Sequence, residues 1–185
     1  MNNIALSLAL LTFPALLMSN SLTEDLEKKY PQAPVEKIIN FYPITANIGT
    51  AGQPTPNQFA LIRAARYTDV INLAAPESAN ALANEGKLVN AQNMSYTHIP
   101  VPWEAPTAQH ITAFFNVMDR LKNNKQKILV HCAANYRASV FTYKYLTLRE
   151  GLSAEDATTP LLKKWLPQMD DNWKAIMALT LDEIE

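Results

Sequence analysis

Ile128-Leu129-Val130-His131-Cys132-Ala133-Ala134-Asn135-Tyr136-Arg137-Ala138-Ser139 is the stretch that decides the fold of this chain. Its opening residues are continuously apolar up to His131, the pattern of a short strand covered on both faces. A loop follows, and then residues 138–149, which read as a helix closed by Gly151 as its C′ residue. A strand that ends in a loop and feeds a helix gathers N–H groups around one point and attracts anions. Cys132, the only cysteine of the chain, stands at the mouth of that field, which favours its thiolate. Arg137 offers a planar fork of donors suited to two oxygens of a phosphate, sulfate or arsenate. Asn135 occupies the middle of the loop, where the turn calls for φ > 0, and Asn tolerates that conformation. Ser139 is placed to donate a hydrogen bond to the thiolate, and His131 to orient the loop through backbone carbonyls. A lone cysteine after a strand is commonly just a buried small hydrophobe. The arginine five residues on, with a hydroxyl behind it, sets this run apart.

Working outward, elements alternate. Residues 44–51 read as an early strand or hairpin, ended by Gly52-Gln53-Pro54-Thr55-Pro56. Thr55 is the expected N-cap and Pro56 the first turn of a helix that stops near Tyr67. Residues 70–73 form a short strand, 79–93 a helix interrupted at Gly86, and 96–101 the next strand. Residues 106–122 carry Ile111, Phe114, Phe115, Met118 and Leu121 on one helical face. Ser153 caps a further helix, with Asp156 three residues on, and Asp171 or Asn172 starts the last. Strands alternating with helices predict an α/β fold with a central, mainly parallel sheet flanked by helices.

The N-terminus reads differently. Residues 4–18 are uncharged, too short for a comfortable membrane span of about 20 residues, and followed by Ser19 and Ser21. This predicts a signal peptide over 1–21, a polar linker over 22–39, and a domain over 40–185. The implied location is periplasmic or secreted, with no stable membrane association after cleavage. A single cysteine forms no internal disulfide there, so a chemical use accounts for it better. Hydrophobic residues make 48% of the chain and charged residues 18%, which excludes a disordered chain. The net charge of -1 gives no footprint for a nucleic-acid partner. His98 and His110 show no ligand spacing, so neither a metal nor a cofactor is expected.

The run from Val130 to Ser139 resembles the signature of the cysteine-dependent protein tyrosine and dual-specificity phosphatases. Gly52-Gln53-Pro54-Thr55-Pro56, a helix, and Val70-Ile71-Asn72-Leu73 resemble the opening of a small bacterial branch of that superfamily. That branch was long catalogued as a domain of unknown function and is related to the phosphatase-like part of beta-lactamase-hydrolase-like proteins. The resemblance covers about residues 40–180 and implies a dual-specificity-phosphatase-like fold. It also implies hydrolysis of a phosphomonoester through a phosphocysteine on Cys132, with no cofactor. Ala133, Ala134, Asn135, Tyr136 and Arg137 would bind the oxyanion. The superfamily places an Asp on the loop after the preceding strand as general acid. Here that loop, Val101-Pro102-Trp103-Glu104-Ala105-Pro106, holds only Glu104, the candidate acid, while Trp103 and Tyr136 would line the entrance.

The loop also departs from the superfamily. Four residues separate Cys132 from Arg137, where the pattern has five, and the usual glycine is missing. A loop this short resembles the rhodanese sulfurtransferases, whose cysteine carries sulfur. Two other readings therefore stay open: a sulfurtransferase or persulfide carrier, and a non-catalytic oxyanion-binding module.

Overall fold

The computed structural model describes residues 35–124 and 126–185. The expected signal peptide, and the linker up to residue 34, lie outside the described residues. Five strands form one sheet: β1 (Tyr42–Pro43), β2 (Ile48–Ala51), β3 (Asp69–Asn72), β4 (Ser95–His98) and β5 (Ile128–His131), in the order β1-β2-β5-β3-β4. Among the described strands only the β1–β2 pair is antiparallel; β5 runs parallel between β2 and β3, and β4 parallel to β3. The helices are α1 (Gln58–Ala64), α2 (Glu85–Asn90), α3 (Ala108–Asn123), α4 (Tyr136–Leu148), α5 (Ala154–Ala157), α6 (Pro160–Trp165) and α7 (Asp171–Ala178). The α/β architecture with a mainly parallel sheet is the one expected.

Side chains of β5 alternate between two cores, as a strand's period of two requires. Ile128, Val130 and Cys132 face the larger core with Phe114, Phe115, Phe141 and Trp173. Leu129 faces the smaller core with Phe59, Ile62 and Val89. Every residue of β5 is buried, which is why the strand reads as continuously apolar. Val35 and Ile38 are also buried in the smaller core. Packed structure therefore starts ahead of the boundary at residue 40.

Several boundaries differ from expectation for local reasons. Thr55 does not cap α1: Thr55 and Pro56 form a preceding turn, and Asn57 is the N-cap. The helix expected over 79–93 shrinks to α2, with turns occupying 77–84. The strand expected over 96–101 ends at His98. Helix α3 starts at Ala108, where the Thr107 N–H donates to His110 Nδ1 at 3.1 Å. Ser153 accepts from Asp156 N–H at 3.1 Å as expected.

Burial pushes the Tyr67 and Tyr96 hydroxyls up to about 12, aided by the negative charges of Glu36 and Glu85 respectively. Below the unfolded value of about 10, both states keep these protons. From there to about pH 12 the unfolded chain sheds them while the folded chain holds them, so stability falls as pH rises. Urea midpoints at pH 8, 10 and 11.5 are expected to stay flat over the first interval and drop over the second. A flat profile to pH 11.5 would contradict this.

Candidate active site

The tips of the parallel strands are in register: Ala51 and Asn72 flank His131 on either side. Cys132 is the next residue, at the carboxyl end of the sheet, where open α/β sheets take their ligands. Its N–H donates to Ala51 O at 3.3 Å, and its side chain is 1% exposed. The chain then turns through Ala133, Ala134 and Asn135 into α4.

Asn135 adopts φ 74°, the left-handed conformation expected of it, and is the N-cap of α4. Its side-chain Nδ2 donates to Asn40 O at 2.6 Å and to Thr50 Oγ1 at 3.0 Å. Those contacts hold a turn that the missing glycine would have made freely. Among the described residues, no backbone carbonyl meets the N–H groups of Ala133, Ala134, Tyr136 or Arg137. They are donors of the kind that gathers an anion at the start of a helix.

Arg137 is buried. Its Nη1 donates to Val101 O at 2.7 Å and its Nη2 approaches Ser78 Oγ at 3.4 Å. Nε is buried with no partner among the described residues. A buried charged donor is costly unless an acceptor meets it, and an oxygen of a bound oxyanion is one such acceptor.

Ser139 and His131 stand elsewhere than expected. The Ser139 hydroxyl is buried against Asn135 Oδ1 at 3.3 Å and Thr159 Oγ1 at 2.9 Å. It braces the left-handed turn from behind. His131 does not reach loop carbonyls, because the alternation of β5 turns its ring to the side opposite Cys132. There its Nε2 lies 2.6 Å from Glu85 Oε1. The approach lies outside hydrogen-bond alignment, and neither atom has a hydrogen-bond partner among the described residues. Glu85 Oε2 accepts from Gln53 Nε2 at 2.9 Å and Asn72 Nδ2 at 3.1 Å.

The loop carrying Glu104 is anchored at the neighbouring residue. The Trp103 carbonyl accepts from Asn172 Nδ2 at 2.8 Å and Trp173 Nε1 at 3.0 Å. Its ring stacks on Trp165, with centroids 5.5 Å apart, tilts against Trp173 and meets Tyr136 edge-on. Trp103 is thus half-buried in an aromatic cluster instead of standing free at an entrance. Tyr136 shares that cluster. Glu104 itself is exposed.

A cavity of about 530 Å³ opens near the tips of β3 and β4, lined by Asn72, Glu85, Tyr96 and His98 among others. Cys132 does not line it. Among the described residues no cluster of three or more His, Cys, Asp or Glu could hold a metal ion. Among the same residues no helix is long and apolar enough to cross a membrane.

The sequence reading assigned no role to Asn40, Asn80, Gln53, Glu85 or Thr159. Gln53 sits inside the motif that carried the resemblance, which was the one available signal. Asn40 and Asn80 meet the loop itself, and Glu85 and Thr159 meet residues that flank it, only through long-range folding.

No family model matches the chain, and no curated protein matches it. Solved structures do. A DUF442 protein of Shewanella putrefaciens CN-32, described as a candidate phosphatase, is 34% identical over 77% of this chain and 91% of that one, with a TM-score of 0.69. Tk-PTP in its active form is 16% identical, covering 79% of this chain and 96% of that one, with a TM-score of 0.60. TpbA of P. aeruginosa, as a Cys-to-Ser variant in complex with phosphotyrosine, is 13% identical, covering 77% and 85%, with a TM-score of 0.58. The last two are similar in fold.

Proposed function

Because this chain belongs to the DUF442 family within the cysteine-dependent phosphatase superfamily, we propose that it hydrolyses a phosphomonoester through a phosphocysteine on Cys132. The observation that supports the reading best is the Arg137 guanidinium, buried in the helix that follows the Cys132 loop with its Nε donor unmatched by any acceptor among the described residues.

In the first step the Cys132 thiolate attacks phosphorus in line, an S–P bond forms, and the bond to the leaving oxygen breaks. Arg137 and the loop N–H groups stabilise the equatorial oxygens as charge builds on them. Glu104 gives its proton to the leaving oxygen. In the second step water attacks the same phosphorus and gives a proton back to Glu104. The S–P bond then breaks, releasing inorganic phosphate and restoring the thiolate. The anchored Trp103 supports this role, because it fixes the residue beside Glu104 to α7.

The fold shared with TpbA, described in complex with phosphotyrosine, makes an aryl phosphate the first substrate to try. The uncharged 4–18 run supports an enzyme that works outside the cytoplasm.

The test is turnover. The protein is expected to hydrolyse p-nitrophenyl phosphate and phosphotyrosine, with inhibition by vanadate. Glu104→Gln is expected to lower kcat on phenyl phosphate, a poor leaving group, by about 100-fold, and to cost less on p-nitrophenyl phosphate. Folded protein with no turnover between pH 4 and 8 would sink the proposal. An equal loss on both esters would remove Glu104 from the acid role.

A further inference from the structure

The Cys132 loop is held from outside by residues distant in sequence. Asn40, itself at φ 48°, donates from Nδ2 to Ala134 O at 3.0 Å and accepts at its backbone carbonyl from Asn135 Nδ2 at 2.6 Å. Asn40 is thus tied to the turn in both directions, as donor to Ala134 and as acceptor from Asn135. Asn80 donates from Nδ2 to Ala133 O at 2.9 Å, and the Gln53 N–H donates to the same carbonyl at 3.1 Å.

These contacts act on the cradle through peptide geometry. In a planar trans peptide the N–H points away from the carbonyl it is bonded to, and no peptide bond among the described residues is cis. Two donors pulling Ala133 O outward therefore turn the Ala134 N–H to the opposite side of the loop. The Asn40 pair pins Ala134 O and keeps Asn135 left-handed, which sets where α4 begins and so where Arg137 departs. A short loop without glycine has other ways to fold. Its carbonyls are free to rotate inward, where they would repel an oxyanion.

We propose that Asn40 and Asn80 are positioning residues that hold the Cys132–Arg137 loop in its anion-accepting form. The proposal rests on the oxyanion reading of the loop but not on hydrolysis. It is therefore tested by binding, with tungstate as the probe and titration calorimetry as the measurement. Asn40→Gly keeps the left-handed backbone and the carbonyl that Asn135 needs, and deletes only the donor to Ala134 O. It is expected to weaken tungstate binding about tenfold, the size of one lost hydrogen bond. Asn80→Ala, at an exposed position, is expected to weaken it as well. The anion-free melting temperature should fall by only a few degrees in either variant. A purely structural role would lower the melting temperature and leave the affinity of the folded protein intact. Unchanged affinity in both variants overturns the proposal, as does native protein that binds no tungstate. Should Asn40→Gly not fold, Asn80→Ala decides alone. Native protein that binds tungstate yet hydrolyses nothing sinks the phosphatase reading and leaves this inference standing.

Discussion

A Cys132→Ser variant is expected to lose phosphomonoester hydrolysis by at least about 10⁴-fold while binding tungstate as the unchanged protein does. The two halves of that expectation come from different atoms. Hydrolysis requires a nucleophile able to form and then release a bond to phosphorus, and a serine hydroxyl is a weaker nucleophile and a poorer leaving group than a thiolate. His131, the nearest imidazole in sequence, is turned to the opposite side of β5 and faces Glu85. Binding requires the loop N–H groups and the Arg137 fork, and the substitution touches neither. The thiol is 1% exposed and its N–H bond to Ala51 O belongs to the backbone, so the smaller hydroxyl leaves the strand tip in place. Turnover rates and calorimetry on the same preparation check both halves. Residual turnover above about one part in 100 would remove Cys132 as nucleophile. Loss of tungstate binding would place the thiolate among the groups that shape the cradle.

What was legible in the sequence was local or periodic. β5 announced itself because both of its faces are covered, and the left-handed turn because Asn is among the few residues that hold φ > 0. The order of strands and helices followed from the alternation of short apolar runs and amphipathic ones. What escaped was set by pairs far apart in the chain. Asn40 reaches a loop 94 residues on, and nothing in an Asn beside Phe41 signals that partner. Trp103 reads as a pocket aromatic until α7 supplies two donors to its carbonyl. The shrinking of the 79–93 helix also has a tertiary cause. Gly86 packs against Tyr96, where a Cβ would lie 3.0 Å from the ring, so α2 is tied to the sheet at its first turn. Glu85 beside it, on which the sequence pattern carries no signal, is only 3% exposed.

That burial gives the second large effect. Glu85→Ala is expected to destabilise the fold by about 3–5 kcal/mol, the cost of breaking a buried pair and leaving its partners unmatched. Two groups lose their acceptor at once, Gln53 Nε2 and Asn72 Nδ2, and the His131 ring loses the carboxylate that lies 2.6 Å from it. Gln53 keeps one further contact, to Pro54 O, and Asn72 one to Tyr96 OH, while the His131 ring has no other partner. A domain of this size has roughly 5–15 kcal/mol in total, so the alanine variant should unfold at markedly lower urea. Glu85→Gln keeps the volume and one acceptor oxygen, and is expected to cost about 1–3 kcal/mol. The comparison remains readable if the alanine variant does not fold. Equal midpoints for native, Gln and Ala proteins would mean that water replaces the carboxylate and that the cluster does not hold the strand tips together. The consequence reaches the site through Gln53. Its side chain is held by Glu85 and its backbone N–H holds Ala133 O, so loosening one loosens the other. The glutamine variant should therefore bind tungstate more weakly than the native protein at temperatures where both are folded.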